Sequence, residues 1–115
     1  MATTCLLDSE LLDELIGQGT LPACCPIDIT EVYMGMRPNE AEKTQEVLAS
    51  LEFYPVTWEV AKHAGELYRQ WRQEGQTPAL PDLIVAAVAI ANGLQLMTDN
   101  PKDFPMPELQ LYPLI

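Results

Sequence analysis

A chain of 115 residues, 48% hydrophobic and 20% charged, has the size and apolar content of one globular domain with its own core. Seventeen acids against six bases leave a formal charge of −11; this argues against simple nucleic-acid binding by phosphate neutralisation and suits an arginine-bearing partner or an acidic pocket that takes divalent cations. No apolar run reaches the roughly 18 residues that span a bilayer, and no basic segment leads into an apolar one, so the chain reads as cytosolic with no membrane partner.

The first predicted element is a helix over residues 6–17. Leu7, Leu11 and Leu15 recur every fourth residue, with Leu12 and Ile16 beside them and Asp8, Ser9, Asp13 and Glu14 on the other side. Thr3 or Thr4 can cap it, and Gly17 and Gly19 end it. Residues 22–27, Pro-Ala-Cys-Cys-Pro-Ile, form an apolar run of strand length with a proline at each side of the cysteine pair. Adjacent Cys24 and Cys25 point to opposite faces of such a strand. An odd cysteine count, no C-x-x-C pair and a single histidine, His63, point to reduced core thiols rather than a zinc site.

Asp28 then opens a helix as its expected N-cap, with Glu31 at the third helical position. Glu31 therefore has two readings at this point, a capping-box acid or a functional one. The helix breaks at Arg37-Pro38-Asn39, and Asn39 is the expected cap of a second one over residues 40–51, with Ala41, Val47, Leu48 and Leu51 on one face. Residues 53–56 read as a short edge strand. Thr57 caps the longest helix, Trp58 to about Gln73, which ends at Gly75. Ala61, Ala64, Leu67, Tyr68 and Trp71 recur at three and four and are expected in the core. Lys62, Arg69 and Arg72 share a side of this helix, either as a solvated face or as a strip that contacts phosphates.

The stretch 77–104 organises the rest. Pro81 suits the first turn of a helix, where its missing N–H costs nothing. Leu83 to Ala91 carries no charge, so this helix is expected to be buried nearly all round. Asn92-Gly93 is a helix stop. Leu94 to Thr98 is short enough for a strand, and Leu109 to Tyr112 reads as a terminal one. The alternation of helices and strands predicts an α/β fold: a mainly parallel sheet with helices on both faces. Asp82 opens the buried helix, and Asp99 and Asp103 follow the next strand. All three fall where open α/β sheets gather their sites.

Ile29-Thr-Glu-Val-Tyr33, Leu80-Pro-Asp-Leu-Ile-Val-Ala-Ala87 and Gly93-Leu-Gln-Leu-Met-Thr-Asp-Asn-Pro-Lys-Asp-Phe104 resemble, in order, three motifs of the PIN-domain family. With the terminal Pro-Glu-Leu-Gln-Leu-Tyr-Pro they are similar to its small bacterial toxins of VapC type, over roughly residues 9–113. The resemblance implies a ribonuclease that depends on magnesium or manganese, a cognate antitoxin protein as partner, and a homodimer. It places Glu31 at the second acidic position of the family and Asp82 at the third. Asp99, Asn100 and Asp103 compete for the fourth. Carboxylates held together repel one another unless a hard cation lies among them, and such a cation can stabilise a phosphate under attack. Lys62, Arg69 and Arg72 are then candidates for leading RNA toward the acids.

The N-terminus departs from the pattern. The family opens with an apolar strand ending in an aspartate, followed by about two helices, whereas some twenty residues precede the second strand here. One alignment makes residues 4–8 that strand, with Asp8 as the first catalytic acid. The other puts residues 6–17 on the family's second helix and leaves the first strand absent; the spacing of Leu7, Leu11 and Leu15 favours it. A domain without that strand would be a binding module that sequesters an antitoxin or assembles with itself, which is the alternative to a nuclease. A bare α/β domain with an acidic surface is the remaining reading.

Overall fold

Prolines set the limits of one strand. Pro22 and Pro26 flank Ala23–Cys24 and each withdraws a ladder donor, so pairing of that strand stops after two residues. The computed structural model describes residues 2–3, 17–19, 21–98 and 100–112. In chain order these comprise β1 (Ala2–Thr3), β2 (Ala23–Cys24), α1 (Pro26–Gly35), a 3₁₀ turn (Pro38–Glu40), α2 (Ala41–Ala49), β3 (Glu52–Phe53), α3 (Trp58–Gln73), α4 (Leu80–Ala91), β4 (Gln95–Met97), a second 3₁₀ turn (Pro101–Asp103) and β5 (Gln110–Leu111).

The strands form one sheet in the order β3-β2-β1-β4-β5, with all four pairings parallel. β1 lies at its centre: Ala2 pairs with Ala23 on one side and with Leu96 on the other. The alignment that leaves the first strand absent is therefore corrected. Leucine spacing favoured a helix from residue 6, but it says nothing of the residues just before it, and those complete the sheet. Of the helix expected over 6–17, only its end at Gly17 and the turn to Gly19, at φ +80°, fall within the described residues. Asp8 lies outside them.

Two cores cover opposite faces. Ala23 and Cys25 join the larger one, where Val60, Ala64 and Leu67 of α3 meet Leu83 and Val85 to Ala89 of α4. Cys24 joins the smaller one, with Val32 of α1 and Leu51. The two neighbouring thiols are thus split across the sheet as the period of two requires. Both are free, and burial pushes each up to about 11, so both remain protonated. Ala61, expected in the core, is exposed.

The long helices follow their local signals. The Thr57 hydroxyl accepts from the Val60 N–H at 3.2 Å, which satisfies an orphan donor at the start of α3. At the end of α4, Leu94 N–H reaches back to the Ala89 carbonyl at 2.8 Å while Gly93 adopts φ +64°, the left-handed close that glycine permits. The Asn92 amide adds a bond to the Val88 carbonyl at 2.8 Å.

Two helix starts differ from expectation. Pro26, not Asp28, begins α1; Cys25 is the N-cap and Asp28 is the third helical residue, its carboxylate accepting from the Cys25 N–H at 2.9 Å. Similarly, Arg37 precedes the first 3₁₀ turn, and its N–H is held by the Glu40 carboxylate at 2.8 Å, so Asn39 lies inside that turn and caps nothing. In both places the acid three residues on does the capping, and the start moves toward the proline.

Candidate active site

The shift in α1 decides the role of Glu31. With Asp28 occupied at the N-terminus, Glu31 falls in the second turn, exposed, with its carboxylate free of any capping duty. The capping-box reading of Glu31 is thereby excluded, and its chemistry is available elsewhere.

Asp82 is the third residue of α4, after Leu80 and Pro81, in the first turn where the helix dipole favours an anion. Behind it Leu83 and Val85 to Ala89 are at most 2% exposed, so the helix start cannot shift without disturbing the core. Asp82 itself is half-buried. Burial first, then the carboxylates of Asp103 and Glu31, push it above the usual carboxylate range. The main observation at the site is that acids from α1 and from the second 3₁₀ turn lie near enough to Asp82 of α4 for their charge to act on it, although they are far apart in the chain. α1 and α4 are in contact, and the charge of Glu31 reaches Asp82 at the start of α4.

Asp103 reaches this place on a short, well-anchored turn. Its N–H bonds to the Asn100 carbonyl at 3.0 Å, and the next residue, Phe104, bonds back to Pro101 and buries its ring in the larger core. Asn100 N–H is held by the Thr98 hydroxyl at 3.0 Å. Asp99 lies outside the described residues, between these two.

A cleft of about 460 Å³ opens beside Asp82 and Asp103. Its walls also include Gln76, Thr77 and Lys102. Lys102 and the Gln76-Thr77 pair were not singled out by the sequence; the one signal was that Lys102 sits directly before Asp103. Lys62, Arg69 and Arg72 are exposed on α3, and none of them lines this cleft.

The donor set is made of carboxylate oxygens, which fits a hard divalent cation. Among the described residues, no three His, Cys, Asp or Glu side chains stand close enough to enclose an ion.

The model of the PIN domain matches residues 9–105. The chain belongs to the PIN domain family. The PIN match spans Glu31, Asp82, Asp99 and Asp103 and begins one residue after Asp8. This PIN domain is 37% identical to Ribonuclease VapC10 of Mycobacterium tuberculosis over 87 residues, which are 76% of the chain and 65% of that relative's length. It is 32% identical to Ribonuclease VapC19 of the same organism over 101 residues, 87% of the chain and 81% of the relative. Among solved structures it resembles VapBC2 from Rickettsia felis, a complex bound to a DNA fragment from their promoter. That likeness has a TM-score of 0.76 and 25% identity, and covers 97% of this chain and 98% of the other. Among the described residues, no helix of the PIN domain is long and apolar enough to cross a membrane.

Proposed function

We propose that this PIN domain is a ribonuclease of the VapC kind that depends on magnesium or manganese, the toxin of a toxin–antitoxin pair. The observation that carries the reading is the electrostatic convergence on Asp82 of Glu31 and Asp103. A carboxylate whose ionisation is made costlier by burial and by two neighbouring acids is maintained when a cation offsets that cost. The ribonuclease names of the two relatives support the activity, and the VapBC neighbour supports a protein antitoxin as partner.

Asp82 would hold the ion, joined by Glu31 or by Asp103 rather than by both at once; Asp99 is the other candidate for the fourth position, and Asp8 the candidate for the first. When bound, a divalent ion supplies Lewis acidity and charge neutralisation toward a phosphodiester. The chain's own residues do the rest. The start of α4 fixes Asp82 against the core, and the anchored 3₁₀ turn holds Asp103 opposite it. The cleft that both of them line, of about 460 Å³, is where a single strand would lie. Lys62, Arg69 and Arg72 lie on the neighbouring helix, where they can attract RNA. A homodimer follows from the family likeness and belongs to the same proposal. The binding-module alternative rested on a missing first strand and a missing first carboxylate; β1 supplies a strand, and Asp8, the candidate for that carboxylate, lies outside the described residues.

The test is cleavage of single-stranded RNA in magnesium or manganese. Activity that disappears with chelator and in Asp82→Asn supports the nuclease; equal behaviour of wild type and variant under both conditions refutes it.

A further inference from the structure

From the cleft walls we infer that Lys102 binds a backbone phosphate of the substrate strand and so sets where the strand lies relative to Asp82. This inference rests on the ribonuclease reading and adds a substrate-binding residue to it.

The chain has six basic residues: Arg37, Lys43, Lys62, Arg69, Arg72 and Lys102. A strand of phosphates approaching Glu31, Asp82 and Asp103 meets repulsion that an ion at the acids relieves at one phosphate only. The neighbouring phosphates need a cation of the protein. Lys102 is the basic residue that lines the cleft beside Asp82 and Asp103. Its backbone is held on both sides, by Pro101 before it and by the Asn100–Asp103 and Pro101–Phe104 hydrogen bonds around it. Phe104, two residues on, is 6% exposed and anchors the turn in the core. The ammonium therefore swings on a short tether from a fixed point adjacent to Asp103, and a phosphate next to the one at the acids falls within its range. Lysine serves here as a point charge with rotatable donors, which tolerates any base sequence. Gln76 and Thr77, which also line the cleft, offer an amide and a hydroxyl that suit ribose and base edges.

The experiment is equilibrium binding of a fluorescein-labelled single-stranded oligoribonucleotide to the full chain in calcium, for wild type, Lys102→Ala and Lys102→Arg, as a function of salt. The inference expects Lys102→Ala to bind about tenfold more weakly, as loss of one charge-assisted contact does. Its log–log salt slope should be shallower by about 0.7, the value for one phosphate contact on a single strand. Lys102→Arg should restore both. Manganese binding without RNA should be unchanged or slightly tighter in Lys102→Ala, because a nearby positive charge is removed. Unfolding midpoints should coincide, which separates a binding role from a structural one. If Lys102→Ala matches wild type in affinity and slope while wild type cleaves RNA, this inference falls and the nuclease reading stands. If wild type neither binds nor cleaves RNA, both fall.

Discussion

Asp28 offers a quantitative test of how this fold handles its acids. It is 2% exposed, and burial raises its carboxyl to about 6 from an ordinary 3.8; the Cys25 N–H works in the opposite direction, and Glu31 adds a small push upward. A folded value above the unfolded one means the fold favours the protonated acid. The associated stability is complete below the unfolded value and is lost as pH rises through the folded one. The difference between about 6 and 3.8 corresponds to about 3 kcal/mol in full, of which about 2 kcal/mol is lost between about pH 4.5 and pH 7.5. Asp28→Asn keeps an oxygen for the Cys25 N–H and removes the charge. It adds an amide donor in a place where Oδ1 finds no hydrogen-bond partner among the described residues, at a cost of about 1–3 kcal/mol that does not vary with pH. The assay is urea unfolding followed by the fluorescence of Trp58 and Trp71, for wild type and variant across that range. The variant should gain about 2 kcal/mol relative to wild type as pH rises, whatever the offset at the acidic end. A difference between the two proteins that stays constant with pH would refute the reasoning, since acids that do not interact with Asp28 cancel in the comparison.

Four further outcomes follow from the same structure. Asp82→Asn should lose RNA cleavage by on the order of 100-fold or more and should also lose the thermal stabilisation that manganese gives wild type, read by melting with and without the ion. Ala87→Leu should lower stability by about 1–3 kcal/mol, because Ala87 is 0% exposed and the thin helix leaves no room for a larger side chain; a shifted urea midpoint reports it. Gly93→Ala should cost about 1–2 kcal/mol from its φ of +64° alone, since an added Cβ meets nothing within 4 Å there, and calorimetry would show the lower melting temperature. Thr57→Ala should cost about 1 kcal/mol through loss of the Val60 N–H bond, measured as helix loss in thermal circular dichroism.

Much of this was legible from the residues. Thr57, the three-four spacing of Ala64, Leu67 and Trp71, and Gly75 marked α3 closely, because local signals and core packing agree there. Pro81, the uncharged run and Asn92-Gly93 did the same for α4, and with it the setting of Asp82. The start of α1 was misplaced by a real ambiguity: Asp28-Ile-Thr-Glu31 has the spacing of a capping box, but so does Cys25 with Asp28, and Pro26 at the first helical position selects the latter. Strand lengths were overestimated where apolar alternation continues past the point at which a proline ends pairing. The central strand was beyond reach, because two small residues carry no periodicity; their place is set by β2 and β4 on either side. Lys102 was hidden for a different reason. It shares the lining of the cleft with Gln76 and Thr77, which come from a turn that linear spacing does not connect to it.

The alanine-rich body of α4 has an implication for how such a site can diversify. Asp82 is mounted on the part of the molecule least able to accept change, since any bulk added behind it displaces the core. The surfaces opposite it sit on short turns at the rim, where replacement disturbs little else. The lining of the cleft at residues 76–77 and 101–102 can therefore vary while the helix start that carries Asp82 stays where it is.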